Sequence, residues 1–282
     1  MKLRNNVFII IILLFLFIFV TFGVIHKNLL PVCDRFLSRD TNRSLTKDGF
    51  CLLKNVFDSS EVKTIINQTH DQSSTSLNGI KTYIMNHQKL LDKLNQQCNL
   101  NGYEFNDYIF AILGSQISTC HRDFNGTMFH DKIKHPTYTM VVYLHQMKGC
   151  MDVVPESHVR EYKNNYFVDN SKHVRCEIGD VLLFNSNLIH TGSIINDDVS
   201  NPRIQMKLCH KDDRKHLGFL EDYTRVLNDK PPMNMSTKIS KHYSCQVPIN
   251  YVNKDGTSKW YERAFNTIAY GNANALNIRK PL

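Results

Sequence analysis

Apolar and polar positions follow three rhythms along this chain, and each rhythm predicts a different kind of element. Residues 7–25 are almost uniformly apolar, a run long enough at the helical rise to cross a hydrocarbon layer of about 30 Å. This predicts a transmembrane helix, preceded by a stub (1–6), followed by a stalk (26–44), and a single-pass membrane localisation. A cleaved signal peptide is the rival, but its apolar region typically spans about 7–15 residues and ends in a small-x-small site, which is missing here. Lys2 and Arg4 flank one side and Lys27, Arg35, Arg39 and Arg43 the other, so charge gives the span no orientation.

The second rhythm is helical. After a short apolar segment at 49–57 that predicts a strand, Asp58-Ser-Ser-Glu61 has the spacing of a capping box, and Val62, Ile65 and Ile66 continue one face behind it. A second helix is predicted over 83–98, with Ile84, Leu91, Leu94 and Cys98 at helical spacing. Both apolar stripes are sufficiently explained as surfaces that pack on a sheet.

From residue 103 the rhythm becomes that of strands: short β-branched and aromatic segments at 103–113, 116–120, 137–144, 150–154, 173–178, 181–184, 188–191 and 203–209, punctuated by Gly, Pro and Asn. Many short strands of this kind predict a mostly β architecture, a barrel or sandwich of the double-stranded β-helix (jelly-roll) type with flanking helices. Residues 217–227 are predicted helical, stopped by Pro231-Pro232, and the tail with Trp260 and Tyr261 carries no recognisable motif.

Composition changes this picture little. A net charge of +8 is spread along 282 residues without a dense Lys/Arg run, which reads as a solvated surface and not as a nucleic-acid footprint. The eight Cys, at 33, 51, 98, 120, 150, 176, 209 and 245, show no Cys-x-x-Cys and no zinc-like spacing. Free buried thiols are the expected state, with disulfides the alternative for a lumenal domain. Sequons at Asn42, Asn67, Asn125 and Asn234 occur about as often as so Asn-rich a chain produces by chance, so they settle nothing.

The chemistry concentrates between His121 and Arg203. His121-x-Asp123 precedes the strand-rich region, and Gly179-Asp180-Val-Leu-Leu-Phe184 leads through a strand to His190. Two imidazoles and one carboxylate are the ligand set of a non-haem Fe(II) site with open positions. Arg203, after Pro202, supplies the planar fork suited to a dicarboxylate. A second triplet, His210-x-Asp212, lies in charged, irregular sequence and reads as surface. His130, His135, His145, His158 and His173 fall between the proposed ligands, and His158 has the best rival claim among them. No Gly-x-Ser-x-Gly elbow supports a Ser-His-Asp hydrolase.

These parts, together with Asp48-Gly-Phe-Cys-Leu-Leu-Lys-Asn-Val56, Val153-Val-Pro-Glu-Ser-His158 and His190-Thr-Gly-Ser-x-x-Asn196, resemble the phytanoyl-CoA dioxygenase superfamily of Fe(II)/2-oxoglutarate oxygenases. The resemblance covers residues 45–210, the expected jelly-roll domain, and leaves 211–282 as a C-terminal extension. It implies that His121, Asp123 and His190 are the catalytic metal ligands and that Arg203 grips 2-oxoglutarate, with Thr191 and Ser193 as further cosubstrate contacts. Fe(II), 2-oxoglutarate and O2 are the implied cofactors, and hydroxylation of a small-molecule, lipid or protein substrate with release of succinate and CO2 is the implied reaction. Asp123 speaks against the related halogenases, which have a small residue there. Two departures stand out: Glu156 where the family has Gly, and Gly192 where it has a hydroxyl residue. A membrane-tethered jelly roll without catalysis, and a cupin-type metalloenzyme independent of 2-oxoglutarate, are the alternative readings.

Overall fold

Two sheets face each other in the computed structural model of the chain, which describes residues 9–18, 37–39, 42–114, 122–123, 132–159, 171–193 and 202–228. The larger sheet runs in the order β1 (Phe50–Leu53), β7 (Val181–Asn185), β4 (Tyr138–Tyr143), β9 (Arg203–His210), β3 (Tyr108–Ile112) and β10 (Tyr223–Leu227), with β2 (Tyr103–Phe105) also paired to β9. The smaller sheet is β6 (Lys172–Cys176), β5 (Met147–Val153) and β8 (His190–Gly192). Pairing is antiparallel except between β3 and β10, and neighbours in the sheet come from distant parts of the sequence, the jelly-roll-like arrangement expected from the strand rhythm.

Strand alternation divides the core in two. In β4, Tyr138, Met140 and Val142 turn to one face and Val141 and Tyr143 to the other, and all six residues of the strand are buried. The first face packs under helices α1 (Ser59–His70), α2 (Ser74–Met85) and α3 (Gln88–Cys98), through Ile65, Ile80, Ile84, Leu90 and Leu94. The second meets Met151, Val153 and Val174 of the smaller sheet, closing an inner core between the sheets.

The capping box forms as expected: Asp58 accepts from the backbone of Ser60 and Glu61, and Glu61 accepts from the backbone of Asp58 at 2.7 Å. The single helix expected over 83–98 is two. Asn86 ends α2 by bonding back to Thr82, and His87 opens α3 by accepting from Leu90 N–H while its Nε2 lies 2.8 Å from Glu61. Both helices turn their apolar stripes to one core, so the periodicity runs through the break and hides it.

Residues 217–227 are also not helical. They form a 3-10 turn at Gly218–Leu220 and then β10, which pairs parallel with β3 and stacks Tyr223 on Tyr108 with ring centroids 4.5 Å apart. Gly218 and the left-handed Asp222 (φ +54°) interrupt the turn that a continuous helix needs, and Leu217 and Leu220 are spent on a local cluster with Cys209. Cys150 and Cys176 are disulfide-bonded across β5 and β6, with Cα atoms 5.8 Å apart, which corrects the expectation of free thiols for this pair. A register irregularity between Met147 and Met151 brings Cys150 against Cys176, a placement spacing alone does not reveal. Cys51, Cys98 and Cys209 are free.

The expected membrane anchor is not borne out. Among the described residues no helix is long and apolar enough to cross a membrane. Chain contacts separate Met1–Phe36 from Leu37–Leu282. The end of the expected stalk belongs to the second unit: Leu37 N–H bonds to His173 O at 3.0 Å, and Arg39 forks onto Asp180 at 2.8–3.1 Å. Residues 26–36 and 40–41 of the stalk, the 116–120 strand, His121, Asn125, His130 and residues 229–282 lie outside the described residues.

The Gly179-Asp180 turn is a structural device. Gly179 holds φ +80°, its carbonyl accepts from the backbone of Val56 and Phe57, and a Cβ there would sit 2.0 Å from Phe57 O. Asp180 is buried and accepts from Arg39 and from the backbone of Asn55 and Glu177. Gly179→Ala is expected to destabilise the protein by at least about 2 kcal/mol, the cost of left-handed strain plus a backbone clash, visible as a lowered midpoint in urea unfolding.

Candidate metal centre

The inner face of the larger sheet is where polar residues gather. β9 alternates Ile204, Met206 and Leu208, which face the helices, with Arg203, Gln205 and Lys207 on the opposite face. Thr139 of β4 stands opposite Lys207, and Tyr143 opposite Arg203. Asp123 enters this face from the preceding segment, 6% exposed. Its Oδ2 accepts from both Thr139 Oγ1 and Lys207 Nζ, which leaves Oδ1 turned to His190 Nε2 at 3.7 Å.

His190 opens β8 and is 5% exposed. Its Nδ1 lies 2.9 Å from Leu188 O, so Nδ1–H donates there and the ring turns Nε2 toward Asp123. The Phe184 ring, 4.5 Å away, packs on the imidazole and fixes its plane. A ring held by a backbone carbonyl and facing a buried carboxylate is an N/O donor pair that fits a first-row divalent metal.

The motifs around the pair explain how it is assembled. Arg122 is buried and donates to the carbonyl oxygens of Ser157 and Asn187, clipping the backbone beside Asp123 to the segment that leads into His190. Ser157 Oγ accepts from Ile189 N–H at 2.8 Å, so the Pro155-Glu156-Ser157-His158 motif acts as a bracket for His190. Glu156 occupies the left-handed region at φ +68°, the conformation for which the family's Gly is suited. Glu156→Gly relieves about 1–2 kcal/mol of strain and costs about 0.5–1 kcal/mol of chain entropy. A net gain of about 0.5–1 kcal/mol is therefore expected in chemical denaturation.

The other predicted residues are placed as follows. Arg203 is half-buried at the start of β9, beside Tyr143, and burial lowers its pKa from the ordinary guanidinium range. It lies four residues before Lys207 on the same face, about 13 Å along the strand. Thr191 pairs with Asp152 on the face of β8 opposite to His190, which separates it from the centre. Ser193 is buried just past the strand. His158 is directed to Thr46 O at 3.0 Å and against Gly49, away from the donor pair, and burial lowers its pKa. His173 is paired with buried Asp152 at 2.6 Å, His145 is exposed, and His135 contacts Asp213.

Lys207 is the residue sequence reasoning missed. Its signal was the strict alternation of Arg203, Gln205 and Lys207 with apolar neighbours, which marks a strand with a polar face turned inward. His158→Ala is expected to leave metal binding at this centre within about twofold of wild type, since its ring has no part in the donor pair. Equilibrium dialysis with Fe(II) under argon reads this directly.

The fold is a jelly-roll-like pair of sheets with an imidazole and a carboxylate brought together on its inner face. Residues 111–195, which bracket Asp123 and His190, match the phytanoyl-CoA dioxygenase (PhyH) family model. No curated protein sequence matches the chain significantly. Among solved structures, apo HygX from Streptomyces hygroscopicus is 16% identical, with 63% of this chain and 88% of that chain covered and a TM-score of 0.42. EvdO2 from Micromonospora carbonacea var. aurantiaca, complexed with 2-oxoglutarate, is 10% identical over 61% of this chain and 91% of its own, with a TM-score of 0.42. The non-heme alpha ketoglutarate dependent epimerase SnoN from nogalamycin biosynthesis is 13% identical over 58% and 78%, with a TM-score of 0.42.

Proposed function

We propose that the chain is an Fe(II)/2-oxoglutarate-dependent dioxygenase that hydroxylates an organic substrate, with His121, Asp123 and His190 as the metal ligands and Arg203 as the anchor of the cosubstrate's distal carboxylate. The observation that carries this reading is the pairing of His190 Nε2 with Asp123 Oδ1 at 3.7 Å, both residues buried. Leu188 O and Phe184 hold the imidazole, and Thr139 and Lys207 hold Oδ2, so one oxygen and one nitrogen are presented together. Bound iron, with 2-oxoglutarate and O2, supplies an oxidant able to take hydrogen from an unactivated C–H bond, while the cosubstrate goes to succinate and CO2. Arg203 orients the diacid along β9, and Tyr143 and Phe184 wall the site from water, which limits loss of the oxidant to side reactions.

The test is anaerobic addition of 2-oxoglutarate to the Fe(II) protein. A metal-to-ligand charge-transfer band in the visible, followed by succinate formation on admitting O2, is the expected result. Iron binding without a band on adding 2-oxoglutarate would favour the cupin-type alternative, and no iron binding would favour a non-catalytic module.

A further inference from the structure

The second His-x-Asp triplet of the chain, His210-x-Asp212, gains a third ligand-type residue from the fold. β4 and β9 pair antiparallel with Tyr138 opposite Leu208. Carried past the strand ends, that register sets position 136 opposite His210, so His135 lands against it. The two imidazoles stack with centroids 3.8 Å apart and planes 24° from parallel. One ligand-type atom each from His135, His210 and Asp212 all lie within 4.8 Å of one another.

Ring stacking alone asks nothing of the nitrogens, yet here polar partners stand beside both rings. Asp213, whose side chain is 3% exposed, accepts from the backbone N–H groups of Lys134 and His135 and lies 3.0 Å from His135 Nδ1. A carboxylate so held accepts a hydrogen bond from Nδ1–H and leaves Nε2 as the nitrogen available to a metal, the outer-shell arrangement common for metal-bound His. On the other ring, Asp212 N–H approaches His210 Nδ1 at 3.3 Å and Asp212 Oδ2 lies 3.5 Å from the same atom. His210 Nδ1 thus faces both a backbone N–H and a carboxylate of the same residue. Gly102, at φ +80°, makes room for the ring: a Cβ there would stand 2.6 Å from His210 Nε2.

We propose that His135, His210 and Asp212 form a second metal site, for a divalent first-row transition ion such as Zn2+. Two imidazoles and one carboxylate suit Zn2+, Co2+ or Ni2+ over Mg2+ or Ca2+. Bonds of about 2.0–2.1 Å to a tetrahedral ion set donors about 3.3 Å apart, so the side chains close by roughly an ångström on binding. Asp212, 62% exposed at its side chain, has the freedom to do so, and water takes the remaining position. The bound ion fastens the loop before β4 to the end of β9, the strand pair whose other face carries Thr139 and Lys207 under Asp123.

The test is Co2+ titration of the full chain carrying His190→Ala, which removes a ligand of the first centre. One Co2+ per chain, with visible d–d absorption, is expected. Asp212→Asn, an exposed change that spares the fold, and His135→Ala should each weaken that binding tenfold or more in the same background. Absence of stoichiometric Co2+ in His190→Ala, or unchanged affinity after Asp212→Asn and His135→Ala, overturns the proposal. The two centres are separable by count: wild type is expected to bind two ions. A single ion, insensitive to His190→Ala but lost in His135→Ala, would uphold this site and reject the first.

Discussion

Anaerobic titration of His190→Ala and Asp123→Ala with Fe(II) and 2-oxoglutarate is expected to show no charge-transfer band, with iron affinity at the inner centre reduced by more than about a hundredfold. The size of the effect follows from the donor count. Even outer-shell partners of metal ligands typically contribute 10–100-fold in affinity, and these two residues offer the donor atoms themselves. His190 Nε2 and Asp123 Oδ1 are already 3.7 Å apart and oriented by other groups, so removing either leaves a site that cannot recover a donor by rotation of a neighbour. His121→Ala should behave in the same way. Lys207→Met is the informative contrast: it removes a group that steadies Asp123 Oδ2 but leaves both donors, so a loss of about 10–100-fold is expected with the band retained at high iron. Far-UV circular dichroism matching wild type separates loss of the site from loss of the fold. A normal band in His190→Ala would reject the ligand assignment.

How much of this was legible in the sequence depends on the range of the interaction involved. Local signals were read well: the capping box at Asp58 and Glu61 uses groups three residues apart, and the strand rhythm placed β4, β7 and β9 to within a few residues. Motif order brought Asp123 and His190 together across 67 positions because the family resemblance carried information that periodicity lacks. What failed was set by tertiary context. The α2–α3 break is invisible to periodicity because both stripes face one core, and β10 takes its strand form from pairing with β3. Thr191, a candidate cosubstrate contact implied by the resemblance, lies on the face of β8 opposite to His190, because adjacent residues of a strand face opposite ways. The Cys150–Cys176 bond and the His135–His210 stack both depend on strand register, which no single segment encodes. For residues 7–25, apolar composition predicted a span, but among the described residues no helix is long and apolar enough to cross a membrane.

Arg203→Ala is expected to retain Fe(II) while weakening 2-oxoglutarate by roughly thirtyfold or more. Arg203 sits on the same inward face as Lys207, four residues away and about 13 Å along β9, so Lys207 marks the metal end of the face and Arg203 the far end. A five-carbon diacid that meets the metal through its 2-oxo acid end can present its distal carboxylate to that guanidinium. Burial beside Tyr143 lowers the pKa of Arg203 but leaves it charged at neutral pH, and low polarity strengthens two parallel hydrogen bonds to a carboxylate. Truncating one partner of such a pair typically costs about 2–5 kcal/mol, which is the source of the thirtyfold figure. Arg203→Lys keeps the charge and loses the fork, so its affinity should fall between wild type and Ala. Gln205, between the two cations on the same face, cannot replace a charge, and Gln205→Ala should therefore change 2-oxoglutarate affinity far less than Arg203→Ala. Following the charge-transfer band against 2-oxoglutarate concentration gives all four affinities, and wild-type affinity in Arg203→Ala would remove Arg203 as the cosubstrate anchor.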